Sequence, residues 1–192
     1  MFRNIVKYLA VMAFVLQAPF AGAKEIPMWE GLIKSEQQKR ADTELIEAAR
    51  KAGAGTLDKA TYRAIQLGWQ FVAQGDPDMA IKRFNQAWLF EPANADIHWG
   101  FAVATALQGA PLSTVERHFA KAESLKKNDA ALFADHGRIL QQRGENERAI
   151  EYFKKSLSIN PDHRDAHVGM VLASAALGDM KTAEEHRRLL GK

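Results

Sequence analysis

The sequence predicts an all-α fold: a solenoid of about four helix–turn–helix repeats behind an N-terminal capping helix. Three observations lead there. Gly75, Gly109, Gly144 and Gly178 recur at intervals of 34, 35 and 34 residues. At a shift of 69 the chain overlays itself, placing Gly68 on Gly137, Ala80 on Ala149, Phe84 on Phe153, Pro92 on Pro161, His98 on His167 and Gly100 on Gly169. Between the glycines, apolar residues keep helical spacing, and such a period marks stacked helical units. The 192 residues, 47% hydrophobic and 26% charged, can build a core and are not those of a disordered chain. The absence of cysteine excludes disulfides, thiolate metal sites and a cysteine nucleophile.

Residues 1–23 read as an address. Arg3 and Lys7 give a positive start, Tyr8 to Phe20 is mostly apolar, and Ala21-Gly22-Ala23 precedes Lys24. That is the layout of a secretory signal peptide with small residues at the −3 and −1 positions. The apolar run, interrupted by Gln17 and Pro19, is shorter than the ~20 residues of a membrane span. Removing this segment takes away Arg3 and Lys7 and no acid, which lowers the net charge from +3 to +1. A near-neutral chain of mixed sign has no electrostatic preference for nucleic acid or anionic lipid. The expectation is export, to a bacterial periplasm, with no membrane insertion after cleavage.

Residues 24–60 hold a lead and a capping helix. Lys24 to Gly31, with Pro27, Met28 and Trp29, is expected to be mobile. Ser35 and Gln38 have capping-box spacing, and Ala41, Leu45, Ala48, Ala49 and Ala52 form an apolar stripe. Gly53-Ala54-Gly55 ends this helix, whose stripe is expected to pack on the first repeat.

Four units follow, over 61–94, 95–129, 130–163 and 164–192. In the first, Ala64, Leu67, Gly68 and Phe71 form one helix, and Gly75-Asp76-Pro77 breaks it. Asp76 can cap the second helix and Pro77 suits its first turn. Ala80, Phe84, Ala87 and Trp88 then line that helix up to Pro92. The second unit breaks at Gly109-Ala110-Pro111, with Ser113 and Glu116 at capping-box spacing. The third turns at Gly144 and ends at Asn160-Pro161-Asp162.

This order of small, aromatic, small and proline residues resembles the tetratricopeptide repeat, whose helix pairs stack into a right-handed superhelix. Leu67-Gly68, Phe71, Ala80, Phe84, Ala87 and Pro92 carry the resemblance in the first unit. Gly137, Leu140, Ala149, Phe153, Ser156 and Pro161 carry it in the third. The second departs from it through Ala102, an extra residue before Phe119, and Asn128-Asp129 in place of proline. In the fourth, Arg187 takes the aromatic position beside Glu184, Glu185, His186 and Arg188, as an end helix with nothing stacked beyond it should.

No catalytic arrangement stands out, and no enzyme activity, cofactor or metal is expected. Gly53-Ala54-Gly55 lacks the ending of a phosphate loop. His163 and His167 are four apart, but His167 holds a packing position like that of His98, and His163 lies in a turn.

The resemblance implies that binding uses the concave face formed by the first helix of each unit. It places Tyr62, Ile65, Trp69 and Val72 there from the first unit and Asp96, Trp99, Val103 and Ala106 from the second. The third contributes Ala131, Ala134, Asp135, Arg138 and Gln141, and the fourth Asp165, Val168, Leu172 and Ala175. A carboxylate clamp for acidic peptide termini would need Lys and Asn where Ile65, Trp69, Trp99 and Val103 stand, so that variant is not expected. Tyr62, Trp69 and Trp99 instead suggest an apolar trough for an extended or helical peptide, with Arg138 orienting a carboxylate or carbonyl. The alternative is that the two tryptophans are buried on each other or under residues 24–52. The expected function is a non-enzymatic, exported protein-interaction module serving envelope assembly or secretion. A self-associating homo-oligomeric scaffold is the other reading.

Overall fold

The computed structural model describes residues 24–27, 31, 33–53 and 55–191; the expected signal segment, Met28 and Trp29 lie outside them. Among the described residues every regular element is a helix: α1 (Glu36–Ala52), α2 (Asp58–Ala73), α3 (Pro77–Phe90), α4 (Ala95–Leu107), α5 (Leu112–Leu125), α6 (Ala130–Gln142), α7 (Asn146–Ile159), α8 (Arg164–Ala176) and α9 (Met180–Leu189). From α2 onward they pair as antiparallel hairpins. The first helices, α2, α4, α6 and α8, neighbour one another in one layer, and the second helices pack behind them.

The period of the glycines has a backbone cause. Gly75, Gly109, Gly144 and Gly178 all lie at positive φ, between 72° and 82°, in the turn inside each hairpin. After each, an N–H reaches back into the last turn of the helix, as from Asp76 to the Phe71 carbonyl and from Glu145 to that of Leu140, each at 3.0 Å. This left-handed C-terminal cap suits glycine, which has no Cβ to oppose it. The starts of several helices are capped by acceptors: Asp76 takes the Met79 N–H, Asn94 that of Asp96, and Asp179 that of Thr182. The expected capping box of the second unit does not form. Pro111 opens α5 without a side-chain cap, Ser113 falls inside the first turn, and Glu116 pairs with Arg148 instead.

Close packing explains the 69-residue period. The Phe84 ring is sandwiched between Gly68 of α2 and Gly100 of α4, where an added Cβ would come within 2.5 Å and 2.3 Å of it. Phe153 sits in the same way between Gly137 of α6 and Gly169 of α8, at 2.8 Å and 2.2 Å. The paired histidines also act alike. The Nε2–H of His98 donates to the Pro92 carbonyl at 3.1 Å, and that of His167 to the Pro161 carbonyl at 2.8 Å, so each clamps the turn before its own helix. Burial holds the His98 imidazole below its usual pKa and so keeps it neutral.

The two ends are finished differently. The final helix, α9, buries only Ala183, and Glu184 pairs with both Arg187 and Arg188. At the other end α1 forms with its capping box, Ser35 to the Gln38 N–H and Gln38 back to the Ser35 N–H. Its stripe, however, buries no residue. Leu45 and Ala49 only overlook a cleft of about 420 Å³ above Ala60, Ala64, Leu67 and Phe90. Of the lead, Lys24, Glu25 and Ile26 are hydrogen-bonded onto α3 and the end of α4.

Candidate functional site

The concave face is built from α2, α4 and α6, and helical spacing brings its residues into line. Tyr62, Ile65, Trp69 and Val72 follow one side of α2, and Trp99 and Val103 one side of α4. The rings of Trp69 and Trp99 meet edge to face with centroids 4.9 Å apart. Behind them Trp69 also sets its edge against Phe84 at 5.6 Å. Both tryptophans are half-buried. They therefore cover each other in part and keep the remaining ring surface toward solvent, and the docked residues 24–27 lie elsewhere, on α3.

The strip continues by polar contacts. The indole N–H of Trp99 donates to Asp135 Oδ2 at 3.0 Å, across from α4 to α6. Asp135 Oδ1 accepts from Arg138 Nε at 3.1 Å and Nη2 at 2.7 Å. Arg138 is thereby oriented by a neighbour one turn earlier while 44% of its side-chain surface stays exposed. Tyr62 is 63% exposed at the other end, its hydroxyl accepting from Gln66 Nε2 at 2.8 Å.

The predicted site residues thus divide into a surface and its support. Tyr62, the two tryptophans and Arg138 face solvent wholly or in part. Ile65 and Val103 are buried core and hold the strip from beneath, and Val72 is half-buried against the same packing. Alternate contacts along a helix explain this: positions 65 and 103 turn toward the neighbouring hairpin rather than outward. Asp135 carries more of the geometry than its sequence setting announces, since its role depends on a partner 36 residues away.

A second cluster crosses from α5 to α6 and was not legible as a site. The His136 ring stacks flat on Phe119, with centroids 4.2 Å apart and planes within 4°, and lies 3.9 Å from Tyr152 on its other side. Its Nδ1 meets Glu123 at 2.7 Å. Burial, with the Glu123 and Glu116 carboxylates nearby, pushes the Tyr152 phenol up to about 12. His163 and His167, at the junction of the third and fourth units, do not converge on a common point. His163 caps α8 by accepting the Ala166 N–H at 3.4 Å, while His167 is engaged by the Pro161 carbonyl and by His186 at 2.7 Å. Among the described residues no group of three or more metal-ligating side chains comes together, and no helix is long and apolar enough to cross a membrane.

Comparison with known proteins agrees with this architecture. A profile of the tetratricopeptide repeat matches residues 130–163. Over 63 residues the chain is 36% identical to an uncharacterized protein of Methanocaldococcus jannaschii, a match that covers 33% of this chain and 71% of that one. A structure from the functional characterization of Pseudomonas aeruginosa PilF superposes with a TM-score of 0.64 at 21% identity, over 70% of this chain. The chain spans only 61% of that protein's length. A thermophilic TPR protein of Thermus thermophilus superposes at 0.62 with 16% identity, covering 80% of this chain and 83% of that one. MamA superposes at 0.58 with 19% identity, covering 83% and 94%. At these identities the likeness is one of fold.

Proposed function

The chain belongs to the tetratricopeptide repeat family, and from that premise we propose that it is an exported module that binds a partner peptide or helix along its concave face. A protein-interaction module is the role of the repeat; the groove, the occupant and the cellular setting are our reading. The observation that carries it is the Trp69–Trp99 pair tied through Asp135 to Arg138. Large rings fixed in place offer contact area with little rotamer entropy to lose, and tryptophan and arginine dominate binding energy at interfaces. A peptide would lay an apolar side chain against the two indoles and present a carboxylate or carbonyl to Arg138. The binding is passive, by a surface already formed.

The setting in envelope assembly or secretion rests on residues 1–23. An N-terminus beginning at Lys24 in chain recovered from the periplasm supports it, and an intact Met1 removes it. For the groove, wild type is compared with Trp69→Ala/Trp99→Ala and with Arg138→Glu in capture of a partner from envelope extract. Each variant is checked for helicity. We expect the tryptophan pair to contribute about 2 kcal/mol or more, enough to lose the partner, and the exposed Arg138 to weaken it without touching the fold. Equal capture by all three moves the site off this face.

One observation favours the self-associating reading: Leu172, Leu177 and Met180 are exposed on the last hairpin, at 51%, 43% and 65%. Light scattering across a concentration series decides it, because a monomer throughout removes it.

A further inference from the structure

Residues 24–27 lie on α3 and the end of α4, held through both main chain and side chains. The Glu25 N–H donates to Asp78 Oδ1 at 3.0 Å. The Glu25 carbonyl accepts from Gln108 Nε2 at 3.0 Å, and the Ile26 carbonyl accepts from Asn85 Nδ2 at 2.9 Å. Gln108 Nε2 also donates to Asp78 Oδ1 at 2.7 Å, so the donor and the acceptor of the ledge are bonded to each other as well as to Glu25. Further contacts are made by side chains, and Lys24 Nζ donates to the Gln108 carbonyl at 2.9 Å. Lys82 Nζ lies 3.4 Å from the Glu25 carboxylate, and Pro27 is buried while Ile26 stays exposed.

Contacts of this kind suit any extended chain, because main-chain N–H and C=O groups are common to all residues. A proline adds selection. It keeps the residue before it extended, so the two carbonyls are presented in the geometry that Asn85 and Gln108 meet. The next described element, α1, buries no side chain. The ledge is on α3 and the end of α4, apart from the Trp69–Trp99 strip, and does not rest on the concave-face reading.

We propose that Asp78, Lys82, Asn85 and Gln108 form a second peptide-binding site, filled in cis by residues 24–27 and open in trans to a partner segment. That segment is extended and carries an acidic residue two places before a proline. The chain's own Lys-Glu-Ile-Pro is then a placeholder that sets the affinity a partner must exceed, since a tethered competitor acts at high effective concentration.

The test uses the full chain and a labelled peptide of residues 24–31. In Glu25→Lys/Pro27→Ser the placeholder is weakened and the ledge is intact, so the peptide binds at least about tenfold more tightly than to wild type, by the removal of that competitor. Adding Gln108→Ala to this variant reverses the gain. Lys82 is exposed, so Lys82→Glu leaves the fold alone; it weakens binding of the native peptide about fivefold and restores it for a peptide with Lys at the Glu25 position. Equal affinity for wild type and the weakened variant overturns the proposal, as does binding that ignores both ledge changes. Failure of every variant to bind overturns it too, leaving the contact an intramolecular clasp. A wild-type dimer that dissolves on Pro27→Ser makes a second copy the occupant and overturns the partner assignment.

Discussion

The junction between the second and third hairpins is built unlike the junctions on either side of it. At the outer two, a phenylalanine lies against bare glycine, Phe84 on Gly100 and Phe153 on Gly169, and the helices α3 and α4, like α7 and α8, approach closely along their backbones. At the central one α5 and α6 lie further apart. The gap is bridged by reach: Phe119 stacks on His136, Trp99 bonds Asp135, Lys126 links Asp96 to Asp129, and Arg143 donates to the Ala110 carbonyl at 3.1 Å. Shape holds the outer junctions, whereas rings and charges hold the middle. Close packing tolerates no added volume but is indifferent to solvent conditions, while polar bridges tolerate substitution and answer to pH and salt.

The largest expected effect is steric. Gly169→Leu drives a side chain into Phe153, where even a Cβ would lie 2.2 Å from the ring, and should cost about 3 kcal/mol or more in denaturant unfolding. A wild-type midpoint would show that the outer junctions are not tightly packed. The next effect is acid sensitivity beside the centre. His118 of α5 is fully buried, and burial, with Arg117 and His98 adding to it, holds its imidazole down to about 3. The folded pKa lies below the unfolded value near 6.5, so the unfolded chain binds the proton first as pH falls. Stability from this group is present above pH 6.5, declines below it and levels near pH 3. The loss is about 2 kcal/mol by pH 5, read as the slope that His118→Phe removes. A variant with the wild-type slope would place the acid response elsewhere. The smallest effect belongs to Trp99→Phe, which keeps the ring on Trp69 and loses only the bond to Asp135. About 1 kcal/mol is expected, because Asp135 retains Arg138. A cost several times larger would mean that this one bond sets the spacing of α4 and α6.

The outer junctions were legible because their cause is local. A glycine that must sit under a ring, or take a positive φ, leaves a mark at a fixed offset, and Gly68, Gly75, Gly100 and Phe84 recur with their partners at 69. The capping box at Ser35 was legible for the same reason: both of its members lie within one turn. The look-alike at Ser113 and Glu116 failed because Pro111 had already started the helix and Arg148, from another hairpin, claimed the glutamate. Contacts across the central junction left no such mark. Phe119 and His136, or Trp99 and Asp135, meet only once the stagger of α4, α5 and α6 is known. For the site, the sequence placed Trp69 and Trp99 on one face but could not divide exposed ring from buried ring, nor separate them from Ile65 and Val103 beneath. The docked strand at residues 24–27 was illegible for a simpler reason. Three of its bonds use main-chain groups that every residue carries, and its side-chain partners Lys82 and Gln108 lie more than fifty residues away.

The alternation of glycine-backed and histidine-backed phenylalanines also says what the molecule can be cut into. A single hairpin inserted after the first would bring a Phe119-like ring, shaped for a flat histidine, against a glycine-surfaced helix with a hole where the imidazole should be. A block of two hairpins, from one glycine-flanked phenylalanine to the next, presents matching faces at both of its ends. The interchangeable cassette is therefore the pair, and grafts or deletions that lengthen or shorten the solenoid should respect a register of 69 residues rather than 34.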